Sequence, residues 1–148
     1  MPANTSPIFT VSGDISWGST NPITNAVTGT TGAGVFDGTN ANTVLVFTAG
    51  ANGAFVQKLV LEAGGSNIAS VLRVHINNGS TNSTAANNTL YMQYSLPVTT
   101  TDNDAAISHL EVPLNIQLPP SYRIYVTIGA ASATLTGGWY ITAVGGEY

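Results

Sequence analysis

Two histidines, a close pair of aspartates, one glycine-rich run and a handful of aromatic rings are the groups in this sequence with the chemistry to make a site. A hydrolytic triad needs a nucleophile, a base and an orienting acid that converge. The available bases are His75 and His109, and neither neighbours a nucleophile turn of the G-x-S-x-G type. His75 falls on the solvent-facing parity of an alternating run and His109 precedes another such run, so both read as exposed or interfacial histidines. No catalytic residue is assigned, and a hydrolase is disfavoured because the acids are few and scattered. Asp102 and Asp104 flank Asn103 like the opening of a calcium loop. A twelve-residue EF-hand loop starting there needs glycine at 107 and glutamate at 113, where Ile107 and Pro113 stand. The pair reads as an acidic, solvated turn and no metal site is assigned. GTTGAG at 29–34 lacks the following lysine, the preceding buried strand and the helix that a phosphate loop requires, so no cofactor is expected.

The aromatic residues point to contact rather than chemistry. Trp139 alternates with Ile141 and is expected in the core, whereas Tyr140 faces the opposite way. Trp17, Tyr125 and Tyr140 are the candidate partner or glycan contacts, because an amphipathic ring suits a protein interface or the apolar face of a sugar. Four glycosylation sequons begin at Asn4, Asn78, Asn82 and Asn87; in so Asn-, Ser- and Thr-rich a chain they are expected by chance.

The elements that must carry these residues show in the hydrophobic period. Phe55, Gln57, Leu59, Leu61 and Ala63 share one parity and Lys58 and Glu62 the other. Leu72, Val74 and Ile76 oppose Arg73 and His75. Leu110, Val112, Leu114, Ile116 and Leu118 oppose Glu111, Asn115 and Gln117, and Tyr122, Ile124, Val126 and Ile128 oppose Arg123 and Thr127. Side chains alternate across a strand, so this period predicts strands dry on one face and wetted on the other. The predicted strands span 43–48, 54–63, 69–77, 89–96, 107–118, 122–129 and 138–145, and NNGSTNSTAANN at 77–88 predicts an exposed loop. Pro113 cannot donate to a ladder, which predicts an edge strand or a bulge there. No helical period of useful length is present.

The expected fold is therefore all-β: an antiparallel two-sheet β-sandwich, jelly-roll-like, over 43–148, preceded at 1–42 by an extended amino-terminal arm or irregular strands. Alternation alone is shared by a jelly roll and an immunoglobulin-like sandwich.

Composition bounds the partners. Only 7% of the 148 residues are charged and there is no cysteine. Three basic residues against seven acidic ones leave a net charge of −4, with no basic stripe to displace counterions from phosphates, so nucleic acid is not expected as a partner. No run of about 18 apolar residues exists to cross a bilayer, so no membrane is expected either. MPANTSPIF has neither the basic segment nor the apolar stretch of a secretory signal. The parity that carries the charges also carries Val56, Val60, Val71, Tyr91, Tyr125, Tyr140 and Val144, a surface mixed in apolar and neutral polar groups. Such a surface is expected to be covered in part by another copy or another protein.

The succession FVQKLVLEAGG, LRVHINNG, LEVPLNIQLPPSYRIYVTIG and GGWYITAVGG, over about residues 43–148, resembles small jelly-roll virion proteins of tailed bacteriophages, particularly head decoration or cement proteins. The resemblance implies a structural domain on the outside of a capsid that stabilises the shell, commonly as a trimer at local three-fold positions, and it carries over no active residue. Its partners would be itself as a homotrimer and the major capsid protein or another virion protein, and its location the virion surface. The alternative expectation is a carbohydrate-binding module, or an adhesin or fibre domain of a phage.

Overall fold

The structure, a computed structural model, describes residues 11–17, 27–28, 34–107, 109–130 and 138–148. Among these residues the strands and one short α-helix run in the order β1 (Val11–Trp17), β2 (Val27–Thr28), α1 (Gly34–Asp37), β3 (Val44–Thr48), β4 (Ala54–Ala63), β5 (Ser70–Asn77), β6 (Asn88–Leu96), β7 (His109–Leu118), β8 (Arg123–Ala130) and β9 (Trp139–Glu147), with a 3-10 turn at Ala85–Asn87 before β6. The period-2 stretches become strands because each buries one face: Leu72 and Val74 of β5, Val112 and Leu114 of β7, and Ile124, Val126 and Ile128 of β8 all turn inward. Trp139 is fully buried among them, as its alternation with Ile141 predicts.

One sheet has the order β1-β9-β4-β7. The other runs β8-β5-β6, with β3 antiparallel and the two-residue β2 parallel along different stretches of the free side of β8. Leaving out β2, the orders 1-9-4-7 and 3-8-5-6 are those of a jelly roll, in which the chain crosses repeatedly between two packed antiparallel sheets. The amino-terminal stretch contributes to both sheets, since Ile15 to Trp17 pair in register with Val144 to Thr142 of β9. Ile8, Phe9, Asn4 and the run at 29–33 lie outside the described residues.

Pro113 lies on β7, which is an edge strand, and the ladder is irregular beside it. Val56 pairs with Ile116 and Lys58 with Pro113, so Leu114 and Asn115 together face the single residue Gln57; Asn115 takes φ 48°, as a bulge position allows. Against β9 the extra residue is Gln57 itself, since Val56 pairs with Gly145 and Lys58 with the next residue back, Val144. The extra residue reverses the parity of β4. Ala54 and Val56 point into the core before it, and Leu59 and Leu61 after it. This corrects the sequence reading: Val56 is buried rather than outward, Gln57 is exposed and Phe55 half-buried. A bulge shifts the side-chain phase without changing residue types, so simple alternation does not reveal it.

Candidate functional site

The outer faces of the two sheets differ. On the sheet of β8, β5 and β6, the chain covers part of its own surface, around His75 and Arg73. The stretch from Phe36 to Asn42 crosses it before entering β3, with α1 against β6. The Asp37 carboxylate accepts hydrogen bonds from the Thr39 hydroxyl and backbone N–H, which hold it below the usual carboxylate range. Gly38 then takes φ 77°, a left-handed conformation suited to glycine, directly above the His75 ring. A Cβ there would stand 3.2 Å from His75 Cγ and 3.3 Å from Asn88. Arg73 lies 4.6 Å from the centre of the Phe36 ring, within cation–π range.

His75, Tyr125 and Thr127 sit on the outward parity, yet all three are buried. The expectation of an exposed His75 is thereby corrected, because an overlying segment of the same chain is invisible to strand periodicity. His75 Nε2 lies 3.4 Å from the Thr127 hydroxyl, and Nδ1 has no hydrogen-bond partner among the described residues. Burial, reinforced by the Arg73 charge and partly offset by Asp37, pushes the imidazole down to about 4, so it is neutral at pH 7. Tyr125, a candidate contact residue, pairs with His75 across the ladder and is only 9% exposed, which removes it from any contact surface in this form.

The other outer face is open to solvent among the described residues. Three rows cross β9, β4 and β7 in register: Tyr140, Glu62 and His109; Thr142, Val60 and Glu111; Val144, Lys58 and Pro113. Tyr140 is 46% exposed. The charges pair with one another. Lys58 donates to Glu111, His109 Nδ1–H donates to the Glu62 carboxylate, and His109 Nε2 lies 3.8 Å from Glu111. The hydrogen bond to Glu62, with the field of both glutamates, raises His109 above its ordinary range, and the Lys58 hydrogen bond lowers Glu111. A partner can therefore cover this face without supplying a matching charge for each group. The backbone of Trp17 is in register with Thr142, placing it beside the middle row; its side chain lies outside the described residues. Trp17 and Tyr140 thus belong to neighbouring strands of one sheet, and Tyr125 belongs to the other.

A feature with no signal in the sequence organises one end of the sandwich. Asn67, buried, donates through Nδ2 to the carbonyls of Gly65 and Gly138 and to the Thr99 hydroxyl, and its Oδ1 accepts from the Gly138 N–H at 2.8 Å. Its backbone exchanges both hydrogen bonds with Thr99. One side chain thereby ties three loops together. The antiparallel Asn67–Thr99 pairing sets the exposed Ile68 opposite the exposed Val98. At the other end, the loop after β5 is exposed as expected but ordered by its own amides: Asn77 Nδ2 donates to Asn88, Asn87 Nδ2 to the Thr81 carbonyl and Asn88 Nδ2 to the Asn82 carbonyl. Asp102 and Asp104 lie in an exposed turn closed by the Asp104 N–H on the Asp102 carboxylate, and no cluster of three metal-ligating side chains occurs among the described residues.

No protein-family model matches the chain, and no curated protein matches it. Among solved structures it is similar to a chain of the crystal structure of the IBDV viral particle, an icosahedral virus, at 13% identity and a TM-score of 0.37. That similarity covers 98% of this chain and 35% of the other, so this chain spans about a third of its length.

Proposed function

We propose that this protein is a structural, non-enzymatic virion protein that decorates the outside of a phage head, docking on major capsid subunits through the open face of β9, β4 and β7 and acting as a homotrimer. The observation that carries the reading is that face: in register over three strands, with Tyr140 exposed and Val60 and Val144 half-buried among ions that pair with one another. The resemblance of the strand succession to head decoration proteins and the jelly-roll strand order support the same reading. A lattice offers many identical sites, so modest contacts in each copy sum through multivalency. Apolar and hydrogen-bonded contacts also hold when salt screens ion pairs. A ring of three needs a heterologous patch that closes on itself, which a neutral sandwich face can provide. Purified protein mixed with heads that lack it should co-sediment with them and raise their resistance to heat. Failure to bind, or unchanged virion stability after deletion, overturns the reading.

A second reading, a glycan-binding module or phage adhesin, is favoured by the half-exposed Tyr140 ring on that same face. A glycan array probed with the wild type and with Tyr140→Ala distinguishes it: a specific sugar signal lost in the variant supports the adhesin, and a blank array removes it.

A further inference from the structure

The segment that covers the β5–β8 face is held down lightly. Among the described residues, the hydrogen bonds of Asp37 to Thr43 close within the segment: Thr39 N–H and hydroxyl on Asp37, Asn42 N–H on the Asn40 side chain, and Thr43 N–H on the Asn40 carbonyl. Its ties to the body are the Phe36–Arg73 stacking and one long hydrogen bond, 3.5 Å, from Asn82 Nδ2 to the Gly38 carbonyl. Beneath it lies a fully buried imidazole whose Nδ1 has no partner among the described residues, with Gly38 resting on the ring.

We infer that residues 36–42 form an acid-released strap: adding a proton to His75 puts an unsolvated charge under Gly38, and the strap lifts to hydrate it. The charged and titratable groups around His75 are Arg73 on its own strand, Asp37 on the strap, and Tyr125 on β8; β6 faces it with Leu90 and Asn88, which carry no charge. Arg73 repels the added proton and Asp37 attracts it, with Arg73 the stronger influence. The Asp37 carboxylate is held below its ordinary range by the hydrogen bonds from Thr39. Lifting the strap bares the buried face of His75 and the side of Phe36 that stacks on Arg73, opening part of a second face in acid. This inference is independent of the capsid reading.

The coupling has a size. An imidazole that titrates near 4 under the strap and near 6.5 in water favours the open form by up to about 300-fold once the pH is below both values. Hydrogen exchange of the full-length protein, corrected for intrinsic rates, measures it. Between pH 6 and pH 3.5 the amides of Asn42 and Thr43 should lose protection by about 60-fold, while those of β4 and β7 keep theirs. His75→Gln, which cannot take a proton, should keep the strap amides protected throughout. An NMR titration of the His75 ring in the wild type gives a second measure that needs no variant, and its midpoint should coincide with strap opening. Strap protection unchanged at pH 3.5, equal loss in His75→Gln, loss that spreads at once to β4 and β7, or a ring titration out of step with opening each overturns the inference.

Discussion

The two outer faces of this sandwich have the same strand grammar and opposite fates. On β5 and β8 the outward positions hold Arg73, His75, Tyr125 and Thr127, with the last three buried and His75 beneath a segment of the same chain. On β9, β4 and β7 the outward positions hold Tyr140, Glu62 and Glu111, which the described chain leaves exposed, and Val60 and Lys58, which it leaves half-exposed. An outward position is thus not the same as an exposed one. Where the chain covers itself, an outward residue belongs to the stability of the fold, and where it does not, the residue is available to a partner.

The same substitution on each face sharpens this contrast most. Tyr125→Ala should destabilise the protein by about 3 kcal/mol, as removal of a buried aromatic ring does. Tyr140→Ala should stay within about 0.5 kcal/mol, as surface changes do. Urea unfolding of the pair checks it, and equal losses would erase the distinction between the faces.

Acid should separate them next. The folded His75 titrates below its unfolded value, so between pH 6.5 and 4 the unfolded chain binds the extra proton and stability falls as pH drops, by about 2–3 kcal/mol in all. His109 has the opposite sign. Its folded value is raised, so its contribution is present in full below the unfolded value and disappears as pH rises through the folded one; Glu111, lowered, loses its contribution as pH falls. Unfolding midpoints of His75→Gln and His109→Gln from pH 8 to 4 distinguish the two: the first should flatten the acid loss, and the second should leave it in place.

Smaller again is the effect of Gly38→Ala, which places a Cβ against His75 and Asn88 in a left-handed backbone. A loss of about 1–2 kcal/mol is expected in thermal or urea unfolding. The smallest is Lys58→Met on the open face, whose ion pair with Glu111 is solvent-exposed; the unfolding midpoint should hardly move, in low salt or high.

Much of this was legible in the residues and some was not, for physical reasons. The strand 54–63 appears with those bounds and the others within one or two residues, because alternation is a local property. The jelly-roll order was not legible from alternation, since β1 meets β9 and β3 meets β8 across most of the chain. Phe55, Val56 and Gln57 were assigned to the wrong sides because the phase slips at Gln57. His75 and Tyr125 were placed on the correct face and with the wrong exposure, since what covers a strand need not be a strand. Asn67 reads in sequence as turn punctuation, and only the convergence of three loops makes it a buried hub. Of the two contact candidates whose side chains are described, Tyr125 is buried and Tyr140 stands half-exposed on an open face.

We propose the uncovered face of β9, β4 and β7 as the surface that meets a capsid. The most direct test is co-sedimentation with heads lacking the protein, comparing the wild type with Val60→Lys and Thr142→Lys, two outward changes that leave the core untouched. Either variant should bind at least tenfold more weakly with an unchanged unfolding midpoint; binding as tight as the wild type by both would overturn the proposed docking face.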